Sequence, residues 1–227
     1  MAGIVRYVAV LDACVLYPAP TRDLLLSLAH ADLYHAKWSQ DIQDEWVNNL
    51  LANRPDLTRE QLEKTCRDMA RAIPDCLTEN YAHLIPTLTL PDPNDRHVLA
   101  AAIKCGADAI VTANFCDFPS SILDLNGIEA QHPDDFVMNQ IELSERHALE
   151  AIKAMRQRLR NPLRSAAELI ATIEQQQMPQ TAAQLAGTDL IDESCRRESL
   201  RKTYSWPVKA WCSSDFFNAS SAVSFCS

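Results

Sequence analysis

The stretch Ile4-Val5-Arg6-Tyr7-Val8-Ala9-Val10-Leu11-Asp12 decides the fold. β-Branched and apolar residues, interrupted only by Arg6, run up to a carboxylate and stop there. A strand that hides one face alternates polar and apolar residues. A strand hidden on both faces reads as a continuous apolar run, so residues 4–11 are expected to be a buried strand of a parallel sheet. Working outward, Asp108-Ala109-Ile110-Val111-Thr112 is a second strand of this kind, with shorter ones near 33–37 and 128–131. Between them lie helical patterns. Pro18 and Pro20 mark a loop and Thr21 caps a helix over about 22–30. Ser39 caps another through about 52, with Trp46 and Leu50 facing the core. Thr58 opens a helix that Pro74 stops, and residues 76–91 are ambiguous, with room for one short helix and a strand. An alanine-rich helix over about 94–105 ends on Gly106, a short one lies near 119–125, and another starts at 133. Strand and helix alternate, which predicts an α/β fold: a mostly parallel sheet flanked by helices.

From about residue 143 the pattern becomes purely helical, over 143–160, 163–176 and 179–186, with Pro162 and Pro179 as separators. The expected organisation is an α/β domain over 1–141, a helical appendage over 142–192 and a poorly ordered tail over 193–227, rich in Ser, Cys and aromatics. The 227-residue chain is 47% hydrophobic, enough for a sizeable core. It has no apolar run near 18 residues and no signal-peptide pattern at its start, so a cytoplasmic protein without a membrane span is expected. Eight cysteines without C-x-x-C spacing read as free thiols. Four glycines leave no phosphate-cradling loop. The net charge of −9 disfavours binding nucleic acid by bulk electrostatics. It is compatible with an enzyme whose acids are gathered around cations.

In parallel α/β sheets, ligands bind beyond the carboxyl ends of the strands. Asp12 directly follows the first strand, Asn114 and Asp117 follow the strand 108–112, and Asp92 and Asp95 open the helix at 94–105. Glu45 sits within a helix. Carboxylates crowded in one crevice repel one another unless a cation joins them, and hard oxygen donors suit Mg²⁺ or Mn²⁺. Two such ions about 3.5–4 Å apart serve phosphodiester hydrolysis. Each acid also has a structural reading: Asp12 as a strand end, Asp92 as an N-cap before Pro93, Asp95 as a helix-dipole partner, Asp117 as a cap for the next helix, and Glu45 as a solvated residue.

Three segments together carry a family resemblance. Val10-Leu11-Asp12-Ala13-Cys14-Val15-Leu16-Tyr17-Pro18 resembles the opening motif of PIN-domain ribonucleases. Pro91-Asp92-Pro93-Asn94-Asp95-Arg96-His97 resembles the start of their third-acid helix, and Ile110-Val111-Thr112-Ala113-Asn114-Phe115-Cys116-Asp117 the motif that closes their site. The match over about 4–140 is closest to the bacterial branch related to VapC-type toxins of toxin–antitoxin modules. The resemblance implies a PIN-like sheet and a Mg²⁺- or Mn²⁺-dependent endoribonuclease. Asp12 and Asp95 would be metal ligands, Asp117 the last acid and Glu45 the second, with Asp44 as its rival. Thr112 would orient a ligand or a water. Asn114 stands where some relatives have Asp, which bears on a second metal and leaves a non-catalytic RNA- or protein-binding module as the alternative. Arg96 and His97 would support the site or touch substrate. The basic run Lys153, Arg156, Arg158, Arg160 and Arg164 would either track an RNA backbone, chiefly through Arg156 and Arg160, or form a solvated face. The implied partners are an RNA substrate and a cognate antitoxin. The apolar faces of the appended helices would serve that antitoxin or a homodimer.

Overall fold

The structure, a computed structural model, describes residues 7–159 and 165–188. Five strands form one sheet: β1 (Val8–Leu11), β2 (His35–Ser39), β3 (Leu77–Thr78), β4 (Ala109–Val111) and β5 (Glu129–Gln131). Their order is β3-β2-β1-β4-β5 and every pairing is parallel. Ala9, Val10 and Leu11 are consecutive and fully buried, so β1 is covered on both faces as its apolar run requires. The chain builds the sheet outward from β1 through β2 and β3, then crosses back to place β4 and β5 on the other side of β1. The loops leaving β1 and β4 therefore depart in different directions, and a crevice opens at the carboxyl ends of this neighbouring pair.

Helices α1 (Ala13–Leu16), α2 (Ala19–His30), α3 (Gln40–Asn53), α4 (Arg59–Ala72), α5 (Arg96–Cys105), α6 (Ser120–Leu123) and α7 (Pro133–Leu143) follow the strands. Ser39 Oγ accepts from the Ile42 N–H and caps α3, while Thr58 and Gln61 form a reciprocal capping box on α4. Gly106 ends α5 at φ +64, a left-handed backbone that glycine adopts without steric cost. Helix α5 packs across β1, β2, β3 and β4, and α2 packs on β2. The loop expected around Pro18 and Pro20 is instead helical. Asp12 caps the single turn of α1, and α2 begins at Ala19 with Pro20 in its first turn, where a missing N–H costs nothing, so Thr21 is not the cap. A 3₁₀ turn over Pro93–Asp95 precedes α5, which starts at Arg96 rather than 94. The ambiguous segment 76–91 contains β3 and a 3₁₀ turn at Ile85–Thr87.

After a break at Ser144 come α8 (Glu145–Arg158), α9 (Ala166–Gln175) and α10 (Pro179–Ala186). Their apolar residues Ala148, Ile152, Met155, Leu169, Ile173, Ala182 and Leu185 belong to the same buried cluster as the strands. The faces expected to meet an antitoxin or a second copy are thus used within the chain. Polar contacts also hold these helices, among them Gln180 Nε2 donating to Asp135 Oδ1 at 2.6 Å. The buried Asp134 carboxylate on α7 accepts from the N–H groups of Gln180 and Thr181 and from the Thr181 hydroxyl, at 2.7–2.9 Å. Arg158 donates to Ser27 Oγ on α2 at 2.7 Å, so this member of the basic run packs inward rather than facing solvent. Arg160, Arg164, residues 4–6 and the segment 193–227 lie outside the described residues. Among the described residues, no helix is long and apolar enough to cross a membrane.

Candidate active site

A cleft of about 500 Å³ opens at the carboxyl edge of the sheet. Its walls include Asp12, Asp41, Asp44, Glu45, Asp92, Asp95 and Asp117, together with Cys14, Asn48, Asn49, Asn94, His97 and Asn114. The fold brings these together from three places: the exit of β1, the helix after β2, and the loops on either side of the α5–β4 unit.

Asp12 is buried and its carboxylate is held at both oxygens. Oδ1 accepts from the Ala13 N–H at 2.6 Å, and Oδ2 accepts from Thr112 Oγ1 at 2.7 Å and Cys14 Sγ at 3.1 Å. Burial raises its pKa; these hydrogen bonds oppose the rise and the charge of Glu45 adds to it. Thr112, fully buried, also accepts from the Asn114 N–H at 2.9 Å, so one hydroxyl fixes both the acid and the start of the next loop. Cys14 spans the same junction, with Sγ 3.4 Å from Thr112 Oγ1 and accepting from the Ala113 N–H at 3.3 Å. Burial, then the charge of Asp12, push its thiol well above the ordinary range, so it stays protonated and donates.

Asp95 records the crowding. Desolvation, followed by the charges of Asp12, Asp117, Glu45 and Asp92, raises its pKa to about 7. Asp92 meets its structural reading as well, accepting from the Asn94 N–H at 2.8 Å as the cap of the 3₁₀ turn. Asp117 accepts from Asn114 Nδ2 and does not cap α6, whose N-cap Pro119 has no side-chain hydrogen bond. That leaves Asn114 Oδ1 buried with no hydrogen-bond partner. Glu45 faces His97, with Oε2 3.5 Å from Nε2, within ion-pair range but without hydrogen-bond geometry. His97 Nδ1 donates to the Asn94 carbonyl at 2.7 Å, which leaves Nε2 to face the carboxylate. Desolvation pulls the His97 pKa down, but Glu45, the Asn94 carbonyl and Asp41 outweigh it and the net shift is upward. The rival Asp44 accepts from Gln40 Nε2 at 2.8 Å and is exposed at the cleft rim. Arg96 follows Asp95 but is not among the lining residues, and neither is Arg156 on α8.

The donors suit a hard divalent cation: they are oxygens, their surplus negative charge adds to the effect of burial in lifting Asp95, and an unsatisfied amide oxygen lies among them. Among the described residues, no three His, Cys, Asp or Glu side chains form a ready-made ligand group. The acids fit such an ion in chemistry and charge. Sequence reading missed Cys14 and Asp41 as members of this wall. Cys14 lay inside the first motif, two residues past Asp12, and its place on the one-turn α1 is what folds it back. Asp41, which accepts from Tyr81 OH at 2.7 Å, sits one helical turn before Glu45 on α3.

Two family models match the chain: a PIN domain over residues 8–116 and a VapC50 C-terminal domain over residues 133–187. A Mycobacterium tuberculosis protein, provisionally named ribonuclease VapC50, is 49% identical over 61 residues, which is 27% of this chain and 34% of that protein. The match thus spans about a third of the length of this curated relative. No solved structure matches the chain.

Proposed function

Because the chain belongs to the PIN-domain family of VapC type, we propose that it is a metal-dependent endoribonuclease that hydrolyses RNA phosphodiester bonds in the acidic cleft, as the toxin of a toxin–antitoxin module. The observation that carries this reading is the convergence of Asp12, Glu45, Asp92, Asp95 and Asp117 on one cleft, where burial first, and then the charges of the other four, raise the Asp95 pKa to about 7. Nothing in a purely structural role explains why a fold would gather them there at a cost in repulsion. On this reading Asp12, Glu45, Asp95 and Asp117 would hold Mg²⁺ or Mn²⁺. When bound, the ion would relieve the repulsion, activate a water and stabilise the leaving oxygen.

The remaining work falls to the protein's own groups. The Ala13 N–H, Thr112 and Cys14 fix the Asp12 carboxylate in one orientation, so no reorganisation is needed during reaction. His97 balances the charge of Glu45 and fixes where that carboxylate points. Asn114 holds Asp117 through Nδ2 and keeps a buried Oδ1 that has no hydrogen-bond partner. An antitoxin would have to cover or enter this same cleft. The reading is tested with protein stripped by a chelator and then given Mg²⁺ or Mn²⁺. RNA cleavage should vanish on stripping and return on addition; undiminished cleavage by stripped protein would exclude it. The alternative of a non-catalytic binding module draws on the neutral Asn114, and it predicts RNA binding without cleavage under all of these conditions.

A further inference from the structure

One aromatic ring beside the cleft is not used by the chemistry above. Phe115 stands between Asn114 and Asp117, both of which line the cleft, and it is 45% exposed. An exposed phenylalanine in a flexible loop would mean little, but this one is held. The Asn114 N–H is anchored on the buried Thr112 hydroxyl, and the Phe115 carbonyl accepts from the N–H of Phe118, whose side chain is buried. Its ring lies within 16° of parallel to the His132 imidazole, with centroids 6.4 Å apart. His132 is fixed in turn, because its Nδ1 accepts from the Asp134 N–H at 3.2 Å and caps α7. Phe115 is itself outside the cleft wall but adjoins Asn114 within it, whereas the other exposed large apolar residues among those described, Leu77, Leu125 and Leu143, are aliphatic and have no sequence neighbour in the wall.

We propose that Phe115, backed by His132, is a stacking platform for one nucleobase of the RNA at the edge of the cleft. The proposal rests on the ribonuclease reading and deepens it. A chain of net charge −9 with an acid-lined cleft gains little from bulk attraction to phosphate. Every base carries a π-face, so stacking supplies affinity that does not depend on the sign of the surface charge.

The test uses the full chain carrying Asp95→Asn, which removes cleavage on the proposed reading, and a short single-stranded RNA with 2-aminopurine substituted at successive positions, in the presence of Mn²⁺. One position should show altered fluorescence on binding. Phe115→Leu, which keeps apolar bulk but loses the π-face, should abolish that signal and weaken binding about tenfold. Phe115→Tyr should retain both, and the melting temperature of Phe115→Leu should equal that of its parent. Equal affinity and an unchanged signal for Phe115→Leu would overturn the platform while leaving the ribonuclease reading intact. Failure of the parent to bind RNA at all would overturn both.

Discussion

Asp12 shows how one residue is made ready for its role by others. Its two oxygens take hydrogen bonds from a backbone N–H, a hydroxyl and a thiol, and the hydroxyl and thiol come from opposite sides of the β1–β4 junction. Removing the Thr112 hydroxyl leaves Oδ2 with only the weaker thiol donor and frees the Asn114 N–H. Thr112→Val, nearly isosteric, should therefore lower cleavage or metal affinity by about 10- to 100-fold while the far-UV circular dichroism spectrum stays the same. A rate within twofold of wild type would show that Thr112 does not orient the acid. At this scale the sequence was legible where a residue's place follows from a strand end, as for Asp12, Thr112 and Asn114. It was less so where the place depends on how a helix packs. Asp44 and Glu45 both line the cleft, and only the packing of α3 shows that Glu45 is the one facing His97. Arg96 sits next to an acid in sequence yet on another side of the helix from the cleft wall.

Among the elements, the strands and most helices could be read because burial on both faces and capping residues leave local marks: the run ending at Leu11, Ser39, Thr58 and Gly106. The start of α2 could not, since Pro18 and Pro20 are common in loops and equally at home in a first helical turn. The two-residue β3 has too few residues to show a period. The attachment of α10 was invisible because it depends on a contact between residues 134 and 181. Asp134→Ala strips three donors of their partner in a buried place, so it should destabilise the protein by about 3 kcal/mol in urea titrations. The same prediction holds whether or not the cleft is catalytic. A loss under about 0.5 kcal/mol would mean that the Asp134 hydrogen bonds do not hold α10 in place.

Across the whole molecule, charge repulsion links stability to pH and to metal. Asp95, raised to about 7, and Asp23, raised to about 6 by burial against the pull of Arg22 and Arg158, both bind protons more tightly folded than unfolded. Each thus costs stability as pH rises from the ordinary carboxylate range through its folded value. His97, with its upward shift, is likewise most favourable when protonated and loses that contribution as pH rises. His30, whose pKa burial lowers, opposes them over this interval, whereas Asp56, lowered by Arg54, is ionised throughout it. Metal-free protein should accordingly melt at a higher temperature near pH 5 than near pH 7.5, and saturating Mn²⁺ should raise the melting temperature more at pH 7.5, where Asp95 has lost its proton. A metal-free melting temperature that rises across this interval would contradict the crowding. The most direct check on the central claim is single-turnover RNA cleavage in Mn²⁺ by wild type, Asp12→Asn and Asp95→Asn. Each exchange removes one charge and keeps the shape of the side chain. The account predicts metal-dependent cleavage by wild type and a loss of at least about a hundredfold in both variants, with a metal-free melting temperature of Asp95→Asn no lower than wild type. Cleavage by both variants at the wild-type rate would contradict it.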